Sequence, residues 1–311
     1  MAFAALLPSW LGLAGSFHWF PDLFSHFRWQ YLLVALVLVA LSLWQRQRLV
    51  LAGALLTVLL NAALLAQLAI KTRSAAGGTE PDFALRVLSL NVLTSNPHHD
   101  RVVDHVAASG ADVVFLAEID AGWAQSLAPL AALYPHQFVH PRPDNFGGAL
   151  LSRVPLADAE LLNLGAGRRP TLKARVRHQG RDLLIVGMHP VPPKGGEFAM
   201  HRDSQIDGLR DYVATQADPV LTVGDFNASP WSAPMRRLVQ GALGFRGEDP
   251  PWTPTWSVFT PFAVPIDHAL CTAPLWITKR QVGPDVGSDH RPILVEVRWL
   301  KPQPQPQPQP R

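Results

Sequence analysis

Cysteine is almost missing from this sequence: Cys271 stands alone. A single thiol excludes an intrachain disulfide framework and a multi-cysteine metal site, and it says little about compartment. We read it as a small core residue. Charge is nearly missing from one part of the chain. Residues 1–70 carry only Asp22, Arg28, Arg46 and Arg48, whereas the remainder has the composition of an ordinary soluble domain. The break falls near Lys71. A basic footprint is missing too. The formal net charge is +3, but five of the 27 Lys and Arg and one of the 24 acids precede residue 74, leaving 22 bases against 23 acids behind them. That balance argues against a domain held to long duplex nucleic acid by phosphate charge. No internal repeat of fixed period is present.

What the first 70 residues do have is apolar length. Leu49–Ile70 is a run of 22 residues whose only polar side chains are Thr57, Asn61 and Gln67, about 33 Å as a helix and enough to cross hydrocarbon. Trp29–Trp44 is shorter, with aromatics at both ends where interfacial belts place them. The intervening Gln45-Arg46-Gln47-Arg48 permits only an antiparallel helical hairpin. Phe3–Phe20 is a third, weaker span. The opening MAFAALLPSW has no basic residue and apolar spans follow it, unlike a cleaved signal peptide. The expected order is therefore a transmembrane anchor of two or three helices over 1–73, a small, polar, flexible linker over 74–82, and a soluble domain over 83–300. A disordered Pro-Gln tail over 301–311 follows. The bilayer is the partner implied; no protein partner is evident. Arg46 and Arg48 nearly balance Lys71 and Arg73 across the hairpin. Three spans with the N-terminus inside would put the soluble domain outside the cytoplasm, on the periplasmic face of an inner or plasma membrane.

Behind the anchor, strand-like and helix-like segments alternate. Phe83–Val92, Asp112–Ala117 and Gly147–Ser152 read as strands, with a helix over His99–Ser109. Thr171–Arg177 and Asp182–Met188 flank a hairpin signal at Gln179-Gly180. A helix over His201–Gln216 leads into a strand over Pro219–Gly224, and Pro265–Cys271 and Arg291–Trp299 supply the last two strands. Acidic, amide and imidazole side chains recur at one position type, the end of an apolar strand. The instances are Asn91, Glu118, His189, Asp225 with Asn227, Asp267 and Asp289 with His290.

The segments LSLNV, LAEID, GMHP, VGDFNASP, IDHAL and GSDHRP, in that order over about residues 84–298, resemble the endonuclease/exonuclease/phosphatase superfamily, and within it the bacterial branch with an N-terminal membrane anchor. The resemblance implies an α/β fold, a two-sheet four-layer sandwich with helices outside and the site at one edge. It also implies hydrolysis of a phosphoester with Mg²⁺ or Mn²⁺. The residues suit that chemistry: a hard cation takes oxygen ligands, and Glu118, Asn91 and Asp289 offer them at strand ends. Asp267 and His290 look like the family's carboxylate–imidazole pair, with His290 as general base. Asp225 and Asn227 share one face of an extended segment and would reach the phosphate, Asp225 also positioning water or a second metal. His189 would donate to a non-bridging oxygen or assist the leaving group.

Plainer roles compete at each position. Asp225 could cap the turn before Asn227-Ala228-Ser229-Pro230, Glu118 and Asn91 could be solvated edge residues, and His189 a loop histidine. His268 adjoins Asp267, so alternation turns it to the opposite face and makes it structural. Asn145 serves a local turn as readily as a substrate, and Arg202 and Gln205 stay outside the site. Trp231, Trp252, Trp256 and Trp299 are expected in the core. The substrate class, whether nucleic acid, phospholipid or small phosphodiester, is open at this point.

Overall fold

The computed structural model describes residues 2–73 and 83–301. The expected linker and all but the first residue of the expected tail lie outside them. The chain begins with four helices, α1 (Ala2–Leu11), α2 (Trp19–Leu23), α3 (Arg28–Trp44) and α4 (Arg48–Arg73). The Leu- and Ala-rich composition of α3 and α4 favours helix all round. Trp19–Trp44 and Arg48–Arg73 are each long and apolar enough to cross a membrane. The third segment is shorter: α1 runs into a 3₁₀ turn ending at Ser16. It lies along the hairpin, with Leu6 packed on Ala35 and Ala54.

Two mixed sheets follow. The first contains β1 (Leu85–Asn91), β2 (Val113–Ala117), β3 (His136–His140) and β4 (Gly148–Ser152); the second contains β5 (Leu156–Asn163), β6 (Pro170–His178), β7 (Arg181–Met188), β8 (Val220–Asp225) and β9 (Asp267–Cys271). The chain then returns to the first sheet with β10 (Leu275–Val282) and β11 (Ile293–Trp299). The sheet orders are β10-β11-β1-β2-β4-β3 and β5-β6-β7-β8-β9. Each is built around a parallel pair, β1 with β2 and β7 with β8, flanked by antiparallel neighbours.

Alternation along the strands divides the core into layers. Leu85, Val87, Val113, Phe115, Leu183, Ile185, Leu221 and Val223 face between the sheets. The intervening Leu88, Leu90, Val114 and Leu116 pack outward under α5 (His99–Ala108) and α6 (Ala121–Ser126). On the other side Leu184, Val186 and Met188 meet α7 (Gly196–Ala214) and α8 (Ala233–Leu238), with Leu65 and Leu68 of α4 joining the same cluster. The helix α7 buries Ala199, Arg202, Ile206, Leu209 and Val213, a spacing of three and four residues that makes one stripe. The result is a four-layer α/β/β/α sandwich with the N-terminal helices docked on the α7–α8 side.

Candidate active site

The same alternation builds the site. Asn91 continues the inward row of Leu85 and Val87, Asp225 that of Leu221 and Val223, and Asp267 that of Ala269 and Cys271. All three reach the end of the inter-sheet layer where the parallel pairs terminate. Asp225 and Asp267 are also direct register partners across β8 and β9. Sheet pairing thus sets two buried carboxylates side by side on one face. The approach of β7 to β8 here requires a glycine: Gly224 has φ +145°, and a Cβ would fall 2.0 Å from the Met188 carbonyl oxygen.

His290 lies between these carboxylates. Its Nδ1 is 2.9 Å from Asp267 Oδ2 and its Nε2 is 3.5 Å from Asp225 Oδ2. Ser288 fixes the loop that carries it, donating from Oγ to the Asn91 carbonyl at 2.7 Å and accepting the His290 backbone N–H at 3.0 Å. Burial works against a charged ring, but the Asp267 charge, with Asp225 behind it, outweighs that and pushes the imidazole up to about 10. Burial also raises the Asp225 carboxyl above its ordinary range, in spite of the facing His290. Asp267 is buried as deeply, yet the imidazolium bonded to it holds its carboxyl below that range.

Across the cleft, Asn91 Nδ2 donates to Glu118 Oε1 at 3.0 Å and to Asp225 Oδ2 at 3.2 Å, so oxygens of two carboxylates converge on one point. His189 Nε2 faces the same two oxygens at 3.9 and 3.5 Å. The second oxygen of Glu118 accepts from the Thr94 backbone N–H at 3.0 Å. Glu118 and Asn227 both have positive φ, 66° and 49°. The left-handed region suits Asn but costs Glu about 1–2 kcal/mol, and such strain collects where a side chain must be aimed. Asn227 donates from Nδ2 to the Pro190 carbonyl at 2.9 Å, and its backbone N–H reaches Asp225 Oδ1 at 2.8 Å.

Seven of the eight residues singled out in the sequence, Asn91, Glu118, His189, Asp225, Asn227, Asp289 and His290, line one cavity of ≈ 400 Å³. Asp267 stands behind His290. Asp289 sits on the rim, where Oδ2 accepts from Trp256 Nε1 at 2.8 Å. His268 turns away as alternation requires, with Nε2 against the Ala228 carbonyl at 2.8 Å between the Phe226 and Phe245 rings.

Two donor sets could hold a hard cation. Asp225, Asp267 and His290 place ligand atoms within 4.8 Å of one another, but the Asp267–His290 hydrogen bond already uses an atom of each. The second set centres on Glu118 Oε1 and Asp225 Oδ2, which share the Asn91 amide and belong to residues lining the cavity. Asn91 Oδ1 accepts the Leu93 backbone N–H at 3.0 Å, so Asn91 becomes an oxygen ligand only by turning its amide over. With that change the residues fit a hard divalent cation.

The sequence profile of the endonuclease/exonuclease/phosphatase family matches residues 88–290. The chain belongs to this family. Solved structures agree with it at the level of the fold. An endonuclease/exonuclease/phosphatase from Beutenbergia cavernae DSM 12333 is 21% identical with a TM-score of 0.59, the match covering 70% of this chain and 72% of that one. The D. rerio TDP2 complex with single-strand DNA product is 19% identical, TM-score 0.57, covering 69% and 98%. Sphingomyelinase C from Streptomyces griseocarneus is 21% identical, TM-score 0.53, covering 69% and 99%. A search of curated proteins by sequence finds no match.

Within the family frame, the structure adds residues that the sequence did not point to. Trp256, expected in the core, is 38% exposed and lines the cavity, because its indole N–H is drawn out to Asp289. Trp231 and Trp299 are buried as expected. Arg169 lies 4.1 Å over the Phe146 ring and pairs with Asp144 at 3.2 Å, and Phe146 in turn packs on His189. Arg169 stands in a Gly-Arg-Arg stretch with no pattern to mark it. Thr94 Oγ1 donates to Glu118 Oε2 at 3.2 Å, Thr255 Oγ1 accepts the Asp267 backbone N–H at 3.2 Å, and Ser288 ties His290 to Asn91; hydroxyls in loops carry no spacing signal.

Proposed function

We propose that this family member is a membrane-anchored, divalent-metal-dependent phosphodiester hydrolase in which His290, held by Asp267, takes the proton of the attacking water. The observation that carries the reading is the His290 ring, bonded at Nδ1 to Asp267 and turning Nε2 toward Asp225 and the cavity. The acid fixes the ring's tautomer and stabilises the imidazolium that forms. Glu118, Asn91 with its amide turned over, and Asp289 would hold the metal, with Asp225 beside them. A Mg²⁺ or Mn²⁺ ion in that set supplies Lewis-acid polarisation of a phosphoryl oxygen. Asp225 and Asn227 orient water and phosphate. His189 donates from Nε2 to a non-bridging oxygen or to the leaving group.

The apolar surface of the N-terminal helices supports the anchor. Leu33, Leu36, Val37 and Leu43 on α3 and Leu49, Leu55, Leu56 and Leu59 on α4 are all exposed, a surface that water would penalise and lipid would not. The proposed topology leaves the catalytic domain outside the cytoplasm.

The neighbours bind DNA in one case and bear the name sphingomyelinase in another. A specific observation favours the second reading, a membrane-lipid phosphodiester. The loop after Trp256 exposes Phe259 and Phe262, each at 64%. It is fastened to the start of α3 by Gln30 Nε2 donating to the Ala263 carbonyl at 2.8 Å. The rim of the cavity therefore lies beside the anchor. The test is turnover by the full chain in detergent micelles with Mg²⁺, on bis-p-nitrophenyl phosphate, single-stranded DNA and sphingomyelin. Chelation abolishes turnover and Mg²⁺ or Mn²⁺ restores it; full activity in excess EDTA would sink the metal assignment. Cleavage of DNA but not of lipid would select the nuclease reading.

A further inference from the structure

A second cavity of ≈ 510 Å³ lies between the last turns of α4 and the segment that includes α8 and runs on to Arg246. Four cations line it, Arg28, Lys71, Arg236 and Arg246, and among the described residues no acid does. Leu64, Leu68, Leu243 and Phe245 give it an apolar part, and Gln67, Thr72 and Gln240 are its uncharged polar side chains. Three of its lining side chains bury donors without a partner: Arg28 at Nε and Nη2, Arg246 at Nε, and Trp231 at its indole nitrogen. Every one of these orphans is a donor, so what is missing is an acceptor. Arg28 is fully buried and spends only Nη1, on the Ser9 carbonyl at 2.8 Å. The one nearby acid from the same segment, Asp22, is already committed to Arg202 and to the Ala233 backbone N–H.

Depth along α4 says what kind of acceptor fits. From Arg48, Leu64 lies about 24 Å along the helix and Thr72 about 36 Å, against a hydrocarbon thickness of about 30 Å. In the anchored reading proposed above, Leu64 and Leu68 stand at the hydrocarbon edge while Lys71 reaches headgroup level. The cavity is thus apolar where acyl chains lie and cationic where phosphates lie.

We propose that this cavity binds an anionic phospholipid, its phosphate against Arg236, Arg246 and Lys71 over a floor of Arg28, and its acyl chains against Leu64 and Leu68. The inference rests on the anchored reading. The lipid would stand at the joint between anchor and catalytic domain and stabilise both together, since a ligand that binds only the folded state raises its stability.

The experiment is thermal unfolding of the purified full chain in mild detergent micelles, titrated with phosphatidylglycerol, phosphatidylcholine, glycerol phosphate or inorganic phosphate. Phosphatidylglycerol is expected to raise Tm saturably and the other three to have little effect. Arg236→Gln and Arg246→Gln should each weaken the apparent affinity about tenfold, the scale of one lost charge-assisted hydrogen bond, with unchanged circular dichroism. Equal shifts from phosphatidylcholine, or an unaltered phosphatidylglycerol response in the double variant, overturn the proposal. A full effect from phosphate alone overturns the lipid assignment. Carbonate extraction of native membranes tests the anchor separately: release into the supernatant defeats the anchored reading whatever the micelle titration shows.

Discussion

At the scale of single residues, the site is a problem of charge held in a dry place. Asp225 and Asp267 oppose each other across two paired strands, and like charges so placed repel. His290 relieves the repulsion by carrying a proton between them. Its raised affinity for that proton links the ring to stability. The contribution is fully present below pH about 6.5, the ordinary imidazole value, and is lost as pH climbs through the folded value of about 10. Unfolding of the metal-free full chain from pH 6 to 10 should therefore show wild-type stability falling relative to His290→Asn. Parallel curves for the two proteins would mean that the ring is neutral in the fold. The proposed mechanism needs the neutral ring, so in it the proton held in the metal-free site must leave before His290 could serve as base.

At the scale of elements, most of the frame of the candidate site was legible because strand ends and parity are sequence properties. Alternation assigned Asp267 inward and His268 outward, and both side chains follow it. The strands that escaped are β3, β5 and β10, and each is an edge strand; the short helices α6 and α8, six residues each, escaped as well. An edge has one partner, so its burial pattern is weak: β5 is mostly exposed, and β10 is buried only in its first three residues. The helix α7 starts five residues before the expected His201, at Gly196, since the extra turn leans outward with Phe198 and Met200 exposed. Arg202, left outside the site, turns out to be a buried joint. It is 1% exposed, pairs with Asp22 of α2 at 3.0 Å and donates to the Asn227 carbonyl at 3.2 Å. Arg202→Met should cost about 3–5 kcal/mol, because it strands a buried carboxylate. The double variant with Asp22→Asn should recover part of that loss. Chemical denaturation in micelles measures both, and a loss below about 1 kcal/mol would show that the pair is solvated.

At the scale of the whole molecule, the N-terminal helices are part of the domain's structure as well as apolar surface. The His26 ring accepts the Ser229 backbone N–H at 3.0 Å, Trp29 packs edge-on against Trp252, and Thr72 accepts from Gly247 at 3.0 Å. None of these contacts was legible in the sequence, where a polar linker suggested independent parts; charge depletion reports apolar length but not what the helices dock on. Membrane association is expected to survive carbonate, and protease added to spheroplasts is expected to degrade residues 83–300. Protection would place the domain on the cytoplasmic face.

Whether His290 and Asp267 act as one catalytic unit, as proposed, is read from kcat at saturating Mg²⁺ for the full chain and for His290→Ala, Asp267→Asn and their combination, with circular dichroism to verify folding. A paired unit loses about 10²–10⁴ in kcat on His290→Ala and nearly as much on Asp267→Asn, with the double variant little worse than the first. Near-wild-type turnover in His290→Ala, or losses that multiply in the double variant, would contradict the pairing and move the proton to Asp225.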